Sequence, residues 1–179
     1  DLPTATKPDS QGICFVGKIN FRDFLRKKIP ATPGDIVTET GEVVGHHDGL
    51  DTATIGQRQG VTQNKDGKTW YVAKKNEEKN QLIAVPSHDH PLLFSDRAQL
   101  VDPHWLEPQV EARLVRGERL TVEVMTRYRQ PPVPAELVLE SGVVTVRFKE
   151  PAWAIAPGQS AVLYKGSVCL GGGFFGKTE

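Results

Sequence analysis

Two cysteines, five histidines and a glycine-rich final stretch carry most of the chemistry open to this sequence. Cys14 ends a polar lead, Asp9-Ser10-Gln11-Gly12-Ile13, and Lys18, Arg22 and the start of a predicted helix follow it closely. Positive potential there would favour the thiolate, the form that attacks disulfides and carries sulfur. The competing reading is a structural cysteine packed as a small hydrophobe. That second reading fits Cys169, which sits in Ser167-Val168-Cys169-Leu170 and is expected to be inert in a strand. Two cysteines are too few for a disulfide scaffold and have no partners at zinc-ligand spacing. The histidines group as His46-His47-Asp48 and His88-Asp89-His90. Neighbours on a strand point to opposite faces, and nothing completes a ligand set around His88 and His90, so turn and loop histidines are expected and no metal residue is assigned. No G-x-S-x-G elbow is present to support a serine hydrolase.

Gly171-Gly172-Gly173-Phe174-Phe175-Gly176-Lys177-Thr178 satisfies the phosphate-loop pattern G-x-x-x-x-G-K-[ST]. That loop binds phosphate through the amides and dipole of a following helix. The sequence stops at Glu179, so the expectation is a last strand with close-packed glycines and a frayed tail, with no cofactor-binding residue in it.

Lys and Arg total 22 and so do Asp and Glu, so whole-molecule charge gives no attraction to nucleic acid and any RNA contact must be local. One basic group is Lys18, Arg22, Arg26, Lys27 and Lys28; the other is Arg113, Arg116, Arg119, Arg127 and Arg129, expected along the early strands of a barrel. Within Thr126-Arg127-Tyr128-Arg129-Gln130 an aromatic ring between two guanidinium groups has the makings of a base-stacking, phosphate-holding segment. The pattern fits a solvated strand edge equally well.

These residues need a frame. Asn20 is a good N-cap for a short helix holding Phe21, Phe24 and Leu25, stopped by Pro30. Strands are expected at 35–38, 42–45, 70–73 and 81–85, making a small α+β unit over 16–87 behind a lead of residues 1–15. From 88 to 179 strand signals recur at 98–101, 109–114, 120–125, 135–139, 143–148, 160–164 and 168–171, with no helical period. Turns such as Glu140-Ser141-Gly142 and Pro157-Gly158-Gln159 separate them. So many short strands imply a mainly β fold closed into an antiparallel barrel, because closure removes exposed edges. No apolar run approaches the roughly 20 residues of a membrane helix. With no secretory layout at Asp1-Leu2-Pro3 and few cysteines, a cytoplasmic setting is expected. The opening reads as part of something longer.

Taken in order, Gly12-Ile13-Cys14-Phe15, Phe21-Arg22-Asp23-Phe24-Leu25, Gly56-Gln57-Arg58-Gln59-Gly60, Thr126-Arg127-Tyr128-Arg129-Gln130, Pro157-Gly158-Gln159-Ser160 and Cys169-Leu170-Gly171-Gly172-Gly173 resemble the tRNA-specific 2-thiouridylase family over nearly the whole chain. The resemblance implies a central domain and a β-barrel similar to those of translation factors, following an amino-terminal ATP-pyrophosphatase domain that is missing from this sequence. It implies that ATP, with Mg, adenylates the wobble uridine of a tRNA in the whole enzyme. Sulfur then arrives as a persulfide on Cys14, loaded by a sulfur-relay protein or cysteine desulfurase. Arg127, Tyr128 and Gln159 are the implied tRNA contacts, with Arg129 beside them. A chain without the first domain is expected to be inactive alone. The alternative is a non-catalytic RNA-binding β-barrel module.

Overall fold

The computed structural model describes residue 24 and residues 26–59, 69–128 and 130–179. By internal contacts the chain divides into Asp1–Thr32 and Pro33–Glu179. In the first unit, Phe24 and Arg26 are helical and the Lys27 amide donates to the Phe24 carbonyl at 3.2 Å. The rest of the predicted helix, and Cys14 with its loop, lie outside the described residues.

Pro33–Glu179 opens with a five-stranded sheet. Its members are β1 (Gly34–Val37), β2 (Val43–His47), β3 (Arg58–Gln59), β4 (Trp70–Asn76) and β5 (Gln81–Val85), in spatial order β2-β1-β5-β4-β3. Pairing is antiparallel except for β1 with β5, where Ile36 lies opposite Leu82. Ile36, Ala53, Val72, Leu82 and Ala84 form the core on one face, with Trp70 and Ile55 packed against them. A polar knot closes the outer corner. The amide of Gly49 donates to His47 Nδ1 at 3.0 Å, which leaves the His47 proton on Nε2 for the Asn80 carbonyl at 3.2 Å. Any side chain at Gly34 would run into that carbonyl and that ring.

Six further strands make a closed antiparallel barrel: β6 (Phe94–Trp105), β7 (Leu120–Met125), β8 (Val133–Glu140), β9 (Val143–Trp153), β10 (Ser160–Lys165) and β11 (Val168–Thr178). Their order is β10-β11-β6-β9-β8-β7, and β7 closes the ring by pairing Met125 with Val162 of β10. The alternation in β7 shows why it forms, since Leu120, Val122 and Val124 are buried while Thr121 and Glu123 face out. Leu100, Leu137, Val146, Leu163 and Phe175 fill the interior from the other strands. The mainly β fold with an antiparallel barrel expected from the sequence is the fold observed.

Two expectations are corrected. The stretch 109–114 is not a strand; Gln109–Val115 is helix α1, starting after Pro108. Val110 and Leu114 are spaced four apart and both enter the barrel core, while Ala112 between them is exposed, a pattern one helical turn produces and a strand does not. Val110→Ala should therefore cost about 1.5 kcal/mol, two buried methyl-sized groups, and Ala112→Glu less than about 0.5 kcal/mol as a surface change. Urea melts of the two variants check this, and equal losses would return the segment to a strand with one buried face. The frayed tail is also overturned. The strand β11 runs through Thr178, pairing it with Ala98, and the Glu179 amide donates to the Arg97 carbonyl.

The small sheet and the barrel are joined within this unit by a third apolar cluster. Ala73, Val85 and Leu93 are its buried members, and Tyr71, Leu92 and Trp153 pack around them.

Candidate nucleic-acid interface

The turn after β7 carries Thr126-Arg127-Tyr128, and the turn before β10 carries Gln159. These positions are 32 residues apart in sequence. The antiparallel register of β7 and β10, with Tyr164 opposite Glu123 and Val162 opposite Met125, puts both turns at the same end of the barrel. It is also the end that meets the small sheet, because Arg127 reaches Ile55.

Each of the two turns is held by its backbone. Gln130 donates to the Arg127 carbonyl at 3.3 Å. Around Gln159, the Gly158 amide donates to the Phe175 carbonyl at 2.7 Å and the Phe175 amide donates back to the Gln159 carbonyl at 2.8 Å. Tyr128 is 68% exposed, the largest aromatic surface offered among the described residues. A ring presented on a fixed turn suits base stacking, since little entropy is lost on contact.

Arg127 is placed differently. Its Nη2 donates to the carbonyls of Ile55 at 2.7 Å and Ala154 at 3.0 Å, and its guanidinium carbon lies 5.3 Å from the centre of the Trp153 ring. His88 stacks on Trp153 with centroids 4.4 Å apart, Tyr71 meets His88 edge-on at 5.6 Å, and the Trp153 indole donates to the His88 carbonyl. Burial lowers the Arg127 pKa from its ordinary value, yet arginine stays protonated at physiological pH. No carboxylate among the described residues pairs with it, so its charge is held by carbonyl dipoles and an aromatic face. The buried Nε has no partner among the described residues.

The other sequence candidates disperse. Cys14 and Arg129 lie outside the described residues. Cys169 is half-buried in β11 opposite Tyr164. Arg113 and Arg116 are on and just beyond α1 rather than on a strand, and both bind Glu118, whose carboxyl they hold below its usual range. The histidines are tied locally, His46 to Asp35 at 3.0 Å and His90 to Glu39 at 3.2 Å. The phosphate-loop pattern is a strand laddered on both sides, to β10 and β6, so its amides form no cradle and it does not fit a nucleotide.

A cleft of about 800 Å³ opens beside the Gln159 turn, with Ile55, Gln159, Lys74, Lys75 and Lys177 among its lining residues. Asp51, Glu77 and Glu179 line it too, so its charge is balanced. Sequence reasoning missed Ile55, Ala154 and Trp153, and expected His88 only as a loop histidine, without its stacking on Trp153. Only Gly56, in Gly56-Gln57-Arg58-Gln59-Gly60, signalled a place of close approach: a Cβ there would lie 2.5 Å from the Ala154 Cβ and 2.9 Å from the Trp153 ring.

Residues 22–86 match the tRNA methyl transferase PRC-barrel domain, and residues 95–175 match the aminomethyltransferase β-barrel domain. The chain is 44% identical over 180 residues to the tRNA-specific 2-thiouridylase MnmA of Methylobacillus flagellatus, an alignment covering 96% of this chain and 48% of that protein. This chain belongs to the tRNA-specific 2-thiouridylase family. Its similarity to the 2-thiouridylase MnmA of Neisseria meningitidis Z2491 is 44% over 180 residues, covering 100% of this chain and 47% of the relative, and to that of Chromohalobacter salexigens 47% over 185 residues, covering 99% and 46%. The chain thus spans about half the length of the 2-thiouridylases it matches. Among the described residues, no helix of this 2-thiouridylase family member is long and apolar enough to cross a membrane.

Proposed function

We propose that this chain is the tRNA-docking part of a cytoplasmic tRNA-uridine 2-sulfurtransferase, with residues 16–87 as its central domain, 88–179 as its barrel and Cys14 as its sulfur carrier. The observation that carries the reading is the 44% identity to a tRNA-specific 2-thiouridylase over 96% of the chain. The surface supports it, because the turn bearing Tyr128 and the turn bearing Gln159 share one end of the barrel.

In this reading ATP, with Mg, supplies activation of the uridine C2 oxygen through residues outside this chain. What the chain itself does is bind and orient. Tyr128 stacks on a base, Gln159 offers an amide from a backbone-locked turn, Arg129 adds positive potential beside them, and Arg127 belongs to the same tRNA-binding turn. Cys14 holds the sulfur as a persulfide, loaded by a sulfur-relay protein or a cysteine desulfurase, and a second cysteine of the whole enzyme assists its release.

The test is nucleoside mass spectrometry of tRNA from cells lacking their own 2-thiouridylase and supplied with the full-length parent of this chain. Return of 2-thiouridine supports the reading. No return, with tRNA binding intact, leaves a non-catalytic RNA-binding barrel in its place. Tyr128→Ala should weaken tRNA binding roughly tenfold, the scale of one lost base stack, without altering the salt dependence. Fluorescence anisotropy across a salt series reads both quantities, and unchanged affinity would remove Tyr128 from the interface.

A further inference from the structure

The guanidinium of Arg127 is turned into the protein, toward two carbonyl oxygens from separate parts of the fold. Ile55 precedes Gly56, whose amide donates to the Val72 carbonyl at 2.7 Å, and the Gln57 carbonyl accepts from the Val72 amide at 3.0 Å. That loop leads directly into Arg58–Gln59 of β3. Ala154, in the turn just after β9, has a left-handed conformation, φ 52°, which a non-glycine residue holds only when its surroundings impose it. Its amide donates to the Leu93 carbonyl at 2.6 Å. One nitrogen of Arg127 thus ties the turn carrying Tyr128 to the small sheet's loop and to the strained turn after β9, while Trp153 packs beside its guanidinium.

We propose that Arg127 is a positioning residue for tRNA, a clasp that fixes the Tyr128 turn against the Ile55–Arg58 loop by hydrogen bonds to two backbone carbonyls rather than by a phosphate contact of its own. Its value to binding rests on the tRNA reading above; the clasp itself does not. Lysine separates the two roles, since it keeps the charge a phosphate needs but lacks the planar, pre-organised fork and the ring-stacking surface of arginine.

The experiment compares Arg127→Lys and Arg127→Ala in the full-length protein by tRNA affinity across a salt series and by amide hydrogen exchange without tRNA. Both variants are expected to lose affinity about tenfold or more with an unchanged slope against salt, and to speed exchange at Gly56 about tenfold while the β7 amides keep their protection. Near-parental affinity in the lysine variant, with a slope lower by about one in the alanine variant, makes Arg127 a phosphate contact and overturns the proposal. Unchanged exchange at Gly56 overturns it as well, and so does an equal rise at Gly56 and in β7, which reports global loosening. If the parent binds no tRNA, the functional reading falls, and exchange at Gly56 alone decides the clasp.

Discussion

Cys14→Ser, introduced into the full-length parent of this chain, is expected to leave tRNA bound but without 2-thiouridine. Sulfur has to be delivered in a form that is nucleophilic yet held on the enzyme. In the function proposed above, a persulfide on Cys14 would do this: its outer sulfur would attack C2 of the activated uridine, the C2–O bond would break and the adenylate would leave. On the same proposal a second thiolate would then attack the Cys14 sulfur, freeing the thiolated base and leaving a disulfide for an external thiol to reduce. Serine forms no persulfide, so the loss should be complete, to the background of the host cells, while tRNA affinity changes less than about twofold. Nucleoside mass spectrometry and a binding assay on the same variant read the two effects separately. Full 2-thiouridine with the serine variant would make Cys14 structural and move the sulfur to another cysteine. Cys169 is a poor candidate for that role, because β11 holds it half-buried against Tyr164, within the barrel wall.

Gly56→Val is the substitution expected to cost most stability. Gly56 is buried at φ 79°, a conformation a β-branched residue resists by about 1–2 kcal/mol. Its first added carbon would already sit 2.5 Å from the Ala154 Cβ and 2.9 Å from the Trp153 ring. Forcing these apart is overpacking, about 1–3 kcal/mol more. The sum, about 2–5 kcal/mol, is a large part of the stability of an ordinary domain. Chemical denaturation of the chain should show it as a lowered midpoint. Pairing the change with Ala154→Gly should return part of the loss, since glycine removes the methyl and accepts the positive φ of position 154. Additive effects in the double variant would mean that the two residues do not press on each other.

Gly56 is instructive about what a sequence displays. It stands in Gly56-Gln57-Arg58-Gln59-Gly60, and a glycine there announces a tight approach without naming what approaches. Ala154 gave no signal at all, because alanine rarely adopts φ 52° and nothing in Trp153-Ala154-Ile155 predicts it. Arg127 shows the same gap from the other side. Its residue type and neighbours suggested contact with a phosphate, whereas its hydrogen bonds run to the carbonyls of Ile55 and Ala154. Every residue carries a carbonyl, so side-chain identity cannot reveal which ones will converge.

The sequence by itself determined what depends on neighbours along the chain. The two-residue alternation of Leu120, Val122 and Val124 specifies a strand with one buried face, and Gln81–Val85 was bounded correctly by its apolar run. Repetition of such strands called for closure, and the ordered motifs marked the family. Tertiary structure decided what depends on partners distant in the chain. Over 109–115 the spacing of Val110, Ala112 and Leu114 suits a strand or a helix at that length, and burial of Val110 and Leu114 in the barrel core selected the helix. The parallel pairing of β1 with β5, the meeting of the Tyr128 and Gln159 turns, and the clasp of Arg127 were fixed in the same way. Backbone hydrogen bonds and close packing between distant segments carry no local signature, so they exist only once the sheet and barrel have closed upon each other.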